Sequence, residues 1–165
     1  MMDENQECVE RTKRLLRSYN ALRVTLANQE AGIKIKQYEL GLDTAAPIAK
    51  YGDAPRGGSP ELNAVEKAAA RRIAIERSLE CLQADAQKTR YVIDTIDRSL
   101  QALEPFLQEI VREHYFGRID WRRIGEKRNY SERWARQKGQ EAVERISKMI
   151  FWKVQQMELD FLFTE

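Results

Sequence analysis

Cysteine, proline, glycine and histidine are all scarce here: two, four, eight and one among 165 residues. The two cysteines, Cys8 and Cys81, stand far apart and form no CxxC pair. That spacing excludes a thiol-rich metal knuckle and points to reduced thiols, although two helices packed together would let them meet. His114 is the lone histidine, so neither a His-dependent triad nor a His-rich metal site can be assembled. No Gly-rich phosphate loop, HExxH pattern or paired nucleophile and base is present. The sequence therefore argues against an enzyme and calls for no metal or cofactor. No apolar run approaches the roughly 18 uninterrupted residues of a membrane span. The polar, acidic start, Met1 to Glu7, does not read as a secretory signal. The expectation is a cytoplasmic protein without membrane contact.

What is abundant is Glu, Lys, Arg, Ala, Leu and Gln, a mixture that favours helices over sheets and predicts an all-α fold. Leu15, Tyr19, Leu22, Leu26, Ile33 and Leu40 recur at steps of three and four, with Gln29 and Lys36 in the gaps. This is the seam of a long helix over about 4–40 that packs on another helix. Between residues 41 and 59, Gly41, Pro47, Gly52, Pro55, Gly57 and Gly58 mark a loop. Ser59, Pro60 and Glu61 then supply a hydroxyl N-cap, a first-turn proline and an acid. A second long helix follows towards Leu103. Its stripe is Leu62, Val65, Ala69, Ile73, Leu79, Leu82, Ala86, Ile93, Ile96, Leu100 and Leu103, with imperfect phase near Arg72 and Ile75. Two such helices form either an antiparallel hairpin or a dimeric coiled coil. The division expected is a helical region over 1–98 and a second domain over 99–165.

Pro105 opens the second domain. Phe106, Leu107, Ile110, Val111, Tyr115 and Phe116 mark one face of a three-turn helix that Gly117-Arg118-Ile119 breaks. Asp120 is placed to cap a short helix, Trp121 to Arg128, with Trp121 and Ile124 inward and Gly125 allowing close approach. Asn129 tolerates the left-handed backbone of a tight turn. Ser131 then caps a third helix, with Ala135, Ala142, Val143 and Ile146 inward. A short helix, a turn and a capped helix rich in Arg and Gln at its start make a helix-turn-helix.

Charge supports that reading. Arg118, Arg122, Arg123, Lys127, Arg128, Arg133, Arg136 and Lys138 face only Asp120, Glu126 and Glu132 within 118–138, a balance of 8 − 3 = +5. The whole chain carries +2, so the remainder sums to 2 − 5 = −3. A concentrated basic window suits phosphate binding, though a solvated helical face would look similar. Glu132, Arg133, Arg136 and Gln137 occupy the leading turns of the third helix, where Arg suits guanine, Gln adenine and Glu cytosine. Arg122, Arg123, Lys127, Arg128, Tyr130 and Ser131 surround them as candidates to hold phosphates.

The elements Leu103-Glu104-Pro105, Ile110 to Gly117, Asp120 to Gly125, Tyr130 to Arg133 and Ala142 to Ile146 resemble the region-four DNA-binding module of sigma factors. Together with the loop ending Arg56-Gly57-Gly58-Ser59-Pro60, they are closer still to phage and prophage late-gene regulators of the ArpU/RinA type. The resemblance spans about 51–146. It implies a transcription activator in a bacterial host, with double-stranded DNA and RNA polymerase as candidate partners and Glu132, Arg133, Arg136 and Gln137 in recognition. Arg128 and Lys138 depart from it, standing where that family places buried leucine-like residues, and Ala135 is smaller than usual. Trp134 or the C-terminal tail is expected to compensate. That tail, with Ile150, Val154, Met157 and Phe161 on one face, is expected to continue the third helix and to pack within the chain or on a second copy. A homodimer through the N-terminal helices or the tail would read two half-sites. Two other functions fit the pattern: a phage terminase small subunit, and a helical module whose basic face binds an acidic protein.

Overall fold

Long stretches without an internal proline, and with at most a few glycines, keep every backbone donor in register and so extend as helices. The computed structural model describes residues 4–44 and 60–151, and among them every regular element is helical. In order these are α1 (Glu4–Thr44), α2 (Pro60–Gln101), α3 (Pro105–Val111), a π-helical turn (Arg112–Phe116), α4 (Trp121–Lys127) and α5 (Glu132–Ile150). The all-α expectation holds. Helix α1 runs through Gly41 to Thr44, later than the predicted break. The rest of the predicted loop, with its Ser59 cap, lies outside the described residues, as does the tail beyond Phe151. Helix α5 closes at Ile150, where Phe151 turns to φ −106 and its N–H bonds to the Ser147 carbonyl.

The chain divides into two compact units, and the boundary is not at residue 98. Among the described residues, unit 1 joins 4–23 to 91–151, and unit 2 joins 24–44 to 60–90. The cause is local. Tyr19 of α1 stacks on Phe116 of the π turn at 4.2 Å and donates its hydroxyl to Asp97 of α2 at 2.7 Å. Beside it, the Asn20 amide donates to the Phe116 carbonyl at 2.9 Å. The start of α1 is thus built into the helix-turn-helix unit.

Within unit 1 the inward residues of α1 are Cys8, Thr12, Leu16 and Tyr19. Leu16 is fully buried and Leu15 only half-buried, so the seam departs from the predicted one at its start and meets it again at Tyr19. Thr12 satisfies its buried hydroxyl by donating to the Cys8 carbonyl. Ile96, Leu100, Leu107, Ile110, Val111, Ile124, Ala142, Val143 and Ile146 complete a closed core.

Within unit 2, α1 and α2 run antiparallel: Arg90 pairs with Glu30, and Leu82 packs at Gly32. Within the chain the two helices therefore form the antiparallel hairpin. Leu26, Gln29, Ile33, Lys36 and Leu40 are half-buried along it, as the periodicity predicts. On α2 the stripe is corrected. Val65 and Ile73 are exposed, while Ile75 is buried. From Ile75 the steps alternate without a break through Leu79, Leu82, Ala86, Thr89 and Ile93, which fixes the phase that Ile73 had suggested otherwise. Gln29 places its carbonyl oxygen in the seam without a hydrogen-bond partner among the described residues.

Candidate nucleic-acid interface

The helix-turn-helix is locked by four local devices. The π turn is the first: Gly117 N–H bonds back to the Arg112 carbonyl at 2.8 Å, one residue further than an α-helix allows. A Cβ on Gly117 would lie 2.9 Å from the Glu113 carbonyl, so the turn requires glycine. Arg118 then takes a left-handed backbone, φ 53. Second, Trp121 at the start of α4 stacks on His114 at 3.6 Å, and Gly139 of α5 lies so close beneath that ring that a Cβ there would collide with it. Asp120 occupies the N-cap position of α4 in extended backbone but makes no side-chain cap bond.

The third device is the turn between α4 and α5. Asn129 N–H bonds to the Glu126 carbonyl at 3.2 Å and Tyr130 N–H to the Gly125 carbonyl at 2.9 Å, with Asn129 left-handed at φ 59. This is a Schellman closure, and it satisfies the carbonyls at the end of α4. It brings the Tyr130 carbonyl to 2.7 Å from where a Gly125 Cβ would stand, so Gly125 is needed by the returning turn. Fourth, the Ser131 hydroxyl accepts from Trp134 N–H at 3.2 Å and caps α5 as the sequence predicts. Trp134 stacks on Tyr130 at 3.9 Å and meets Phe106 at 5.3 Å, over the core of Ile110, Ile124 and Ala135. The ring packs against the cluster that contains the small Ala135.

On this frame Glu132, Arg133, Arg136 and Gln137 are all exposed on the leading turns of α5. They are not equivalent. Arg136 donates twice to Glu132, at 2.9 and 2.7 Å, so these two side chains neutralise each other. Arg133 and Gln137 have no hydrogen-bond partner among the described residues.

The surrounding residues divide further. Arg123 is exposed and unpaired among the described residues, whereas Arg122, 78% exposed, bonds to Glu126 at 2.9 Å. Lys127 pairs with Glu113 at 2.5 Å yet remains accessible. Arg128 is different. Its side chain is only 12% exposed, held at 2.6 Å by Glu113 and at 3.1 Å by Glu109, and it lies over the Phe106 ring. The geometry thus places Arg128 in the frame of the unit, sealing α4 to α3 and the π turn, in the position where a leucine-like residue was anticipated. Burial opposes the Glu113 charge, but hydrogen bonds from Arg128 and Lys127 outweigh it and hold that carboxyl below its ordinary range. Tyr130 and Ser131 are exposed while serving Trp134 as stack and cap.

The sequence reading missed a contribution from α1. Lys13 and Arg17 line a groove with His114, Trp121, Arg136 and Gln137. Arg17 and Arg118 border the adjoining hollow around His114. Outward charges on a long helix carry no signal of what lies beside them, so only the packing of residues 4–23 against the second domain reveals this extension. For His114, burial lowers the pKa below the ordinary 6.5, the Ile119 carbonyl on Nδ1 opposes this, and Arg17 adds to the lowering. Because the unfolded chain binds that proton more readily, the stability it contributes is complete above 6.5 and declines as pH falls through that value.

Among the described residues no cluster of three or more His, Cys, Asp or Glu is arranged to hold a metal ion. No described helix is long and apolar enough to cross a membrane. Set against known protein families, curated proteins and solved structures, the chain matches none of them.

Proposed function

We propose that this chain is a sequence-specific DNA-binding transcription regulator that lays the start of α5 in the major groove. The observation carrying this reading is the Schellman turn joined to the Ser131 cap. Together they fix α5 at an angle to α4 and leave Arg133 and Gln137 exposed and uncommitted on its first two turns. Arg133 is the principal base reader, with bidentate reach to guanine, and Gln137 suits adenine. Arg136 joins them when the duplex displaces its bond to Glu132. Arg122, Arg123 and Lys127 hold the flanking phosphates, and Lys13, Arg17 and Arg118 extend that cationic border. The likeness of the sequence to ArpU/RinA-type regulators makes late-gene activation the role, with RNA polymerase as a further partner and a second copy of the chain to read a paired half-site.

The test begins with selection of bound fragments from the source genome, followed by affinity measurements on the selected duplex. Arg133→Ala is expected to cost about 1–3 kcal/mol and to relax base preference at one position. Arg123→Ala should weaken all sequences alike and reduce the log–log salt slope by about 0.9. Retention of both affinity and preference by Arg133→Ala sinks the assignment. Binding that ignores salt would point to an acidic protein partner, and a ring of many subunits to genome packaging.

A further inference from the structure

Helix α1 is apolar on two opposite sides in unit 2, and α2 covers only one. Leu26, Gln29, Ile33, Lys36 and Leu40 line the hairpin seam. On the far side Val24, Asn28, Ala31, Ile35, Tyr38 and Leu42 follow one another at alternating steps of four and three, and all are exposed. Val24, Ile35, Tyr38 and Leu42 are 61, 58, 69 and 56% exposed. A helix with apolar residues on both faces is built to lie between two partners. The spacing is that of a heptad seam, with Asn28, Ile35 and Leu42 at a, and Val24, Ala31 and Tyr38 at d.

We propose that the second partner is α1 of another copy of this chain, paired in parallel and in register over Val24–Leu42. Two features select that arrangement. Parallel pairing sets Asn28 against Asn28 of the partner subunit, and a single asparagine pair at a specifies a two-stranded parallel register. It also sets Lys34, at g, opposite Glu39 of the partner subunit, at e five residues on. Lys34 is exposed, and Lys36 engages only Oε2 of Glu39. Antiparallel pairing instead brings Lys34 near Lys34 of the partner subunit and leaves Asn28 opposite a tyrosine. Parallel pairing runs the Val24–Leu42 segments of both copies in the same direction. Its use in reading two half-sites rests on the DNA-binding reading, whereas the pairing itself does not.

Sedimentation of the full chain without DNA, at micromolar concentration, tests this. The wild type is expected at twice the 19.3 kDa chain mass. The double variant Ile35→Glu/Tyr38→Glu is expected at the single-chain mass with unchanged far-ultraviolet circular dichroism, since both side chains point to solvent within the chain. In a Cys81→Ser background, Asn28→Cys should cross-link to a disulfide dimer on mild oxidation. A monomeric wild type overturns the proposal, and so does failure of Asn28→Cys to cross-link. A dimer that survives the double substitution but dissociates when residues 152–165 are removed assigns the interface to the apolar tail and overturns it too. Since none of these measurements uses DNA, their failure leaves the recognition-helix reading standing. An Arg133→Ala protein with unaltered DNA binding would leave the dimer standing.

Discussion

Unit 1 and unit 2 are made from the same two long helices, yet they solve burial differently. In unit 1 four further short elements close around α1 and α2, and Leu16, Ile96, Leu100, Ile110, Ile124 and Ile146 lose all contact with solvent. Among the described residues of unit 2 the helices meet only each other, and Ile75 and Ala86 are its only buried apolar positions. An isolated pair of amphipathic helices buries one stripe each and leaves the rest wet. The contrast teaches that apolar residues in a chain need not all belong to its own core. Most of those in unit 1 close its core, whereas Val24, Ile35, Tyr38 and Leu42 of unit 2 face solvent.

Three substitutions break or sharpen this contrast. The largest effect is expected from Arg128→Met in unit 1. Removing one partner of a fully buried ion pair costs about 3–5 kcal/mol, and the slight exposure of this pair reduces that to about 2 kcal/mol. Urea unfolding followed by tryptophan fluorescence reads it, with duplex affinity unchanged where the variant remains folded. Exposed Arg122→Ala serves as the control and should shift stability by less than about 0.5 kcal/mol. A stable Arg128→Met protein with weakened DNA binding would return Arg128 to the phosphate contacts.

Next is Gly139→Ala. Alanine in a helix interior ordinarily gains about 1 kcal/mol over glycine. Here the methyl group must displace a Trp121 ring already stacked on His114, a strain of about 1–3 kcal/mol. The net expectation is a loss of about 1 kcal/mol, and a gain in thermal midpoint would show that the ring is not fixed. An effect of similar size but opposite sign belongs to unit 2. Gln29→Leu removes a seam oxygen that lacks a partner and should stabilise the hairpin by about 1 kcal/mol in the same unfolding assay.

Much of the helix-turn-helix was legible in the sequence because its signals are local. The Ser131 cap, the left-handed Asn129, the inward Ala135, Ala142, Val143 and Ile146, and the small Gly125 each depend on neighbours a few residues away. Three features were not legible. Gly139 lies under a tryptophan eighteen positions earlier, a contact with no periodic trace. Arg128 stands out as a cation at a leucine-like position, but the carboxylates that hold it there, Glu109 and Glu113, carry no trace in the sequence. The allegiance of residues 4–23 rests on Tyr19 finding Asp97 and Phe116, both far along the chain. Periodicity says that a helix face is buried, but not against what.

The discontinuity of unit 1 has a consequence for biosynthesis. Its first strip, residues 4–23, leaves the ribosome early and must wait while 24–90 are made before Tyr91 onward arrives. A nascent or truncated chain therefore carries no finished unit 1, and a fragment starting at Ser99 would lack Leu16 and Tyr19 from its interior. The fold of unit 1 is therefore completed only once translation has passed α5.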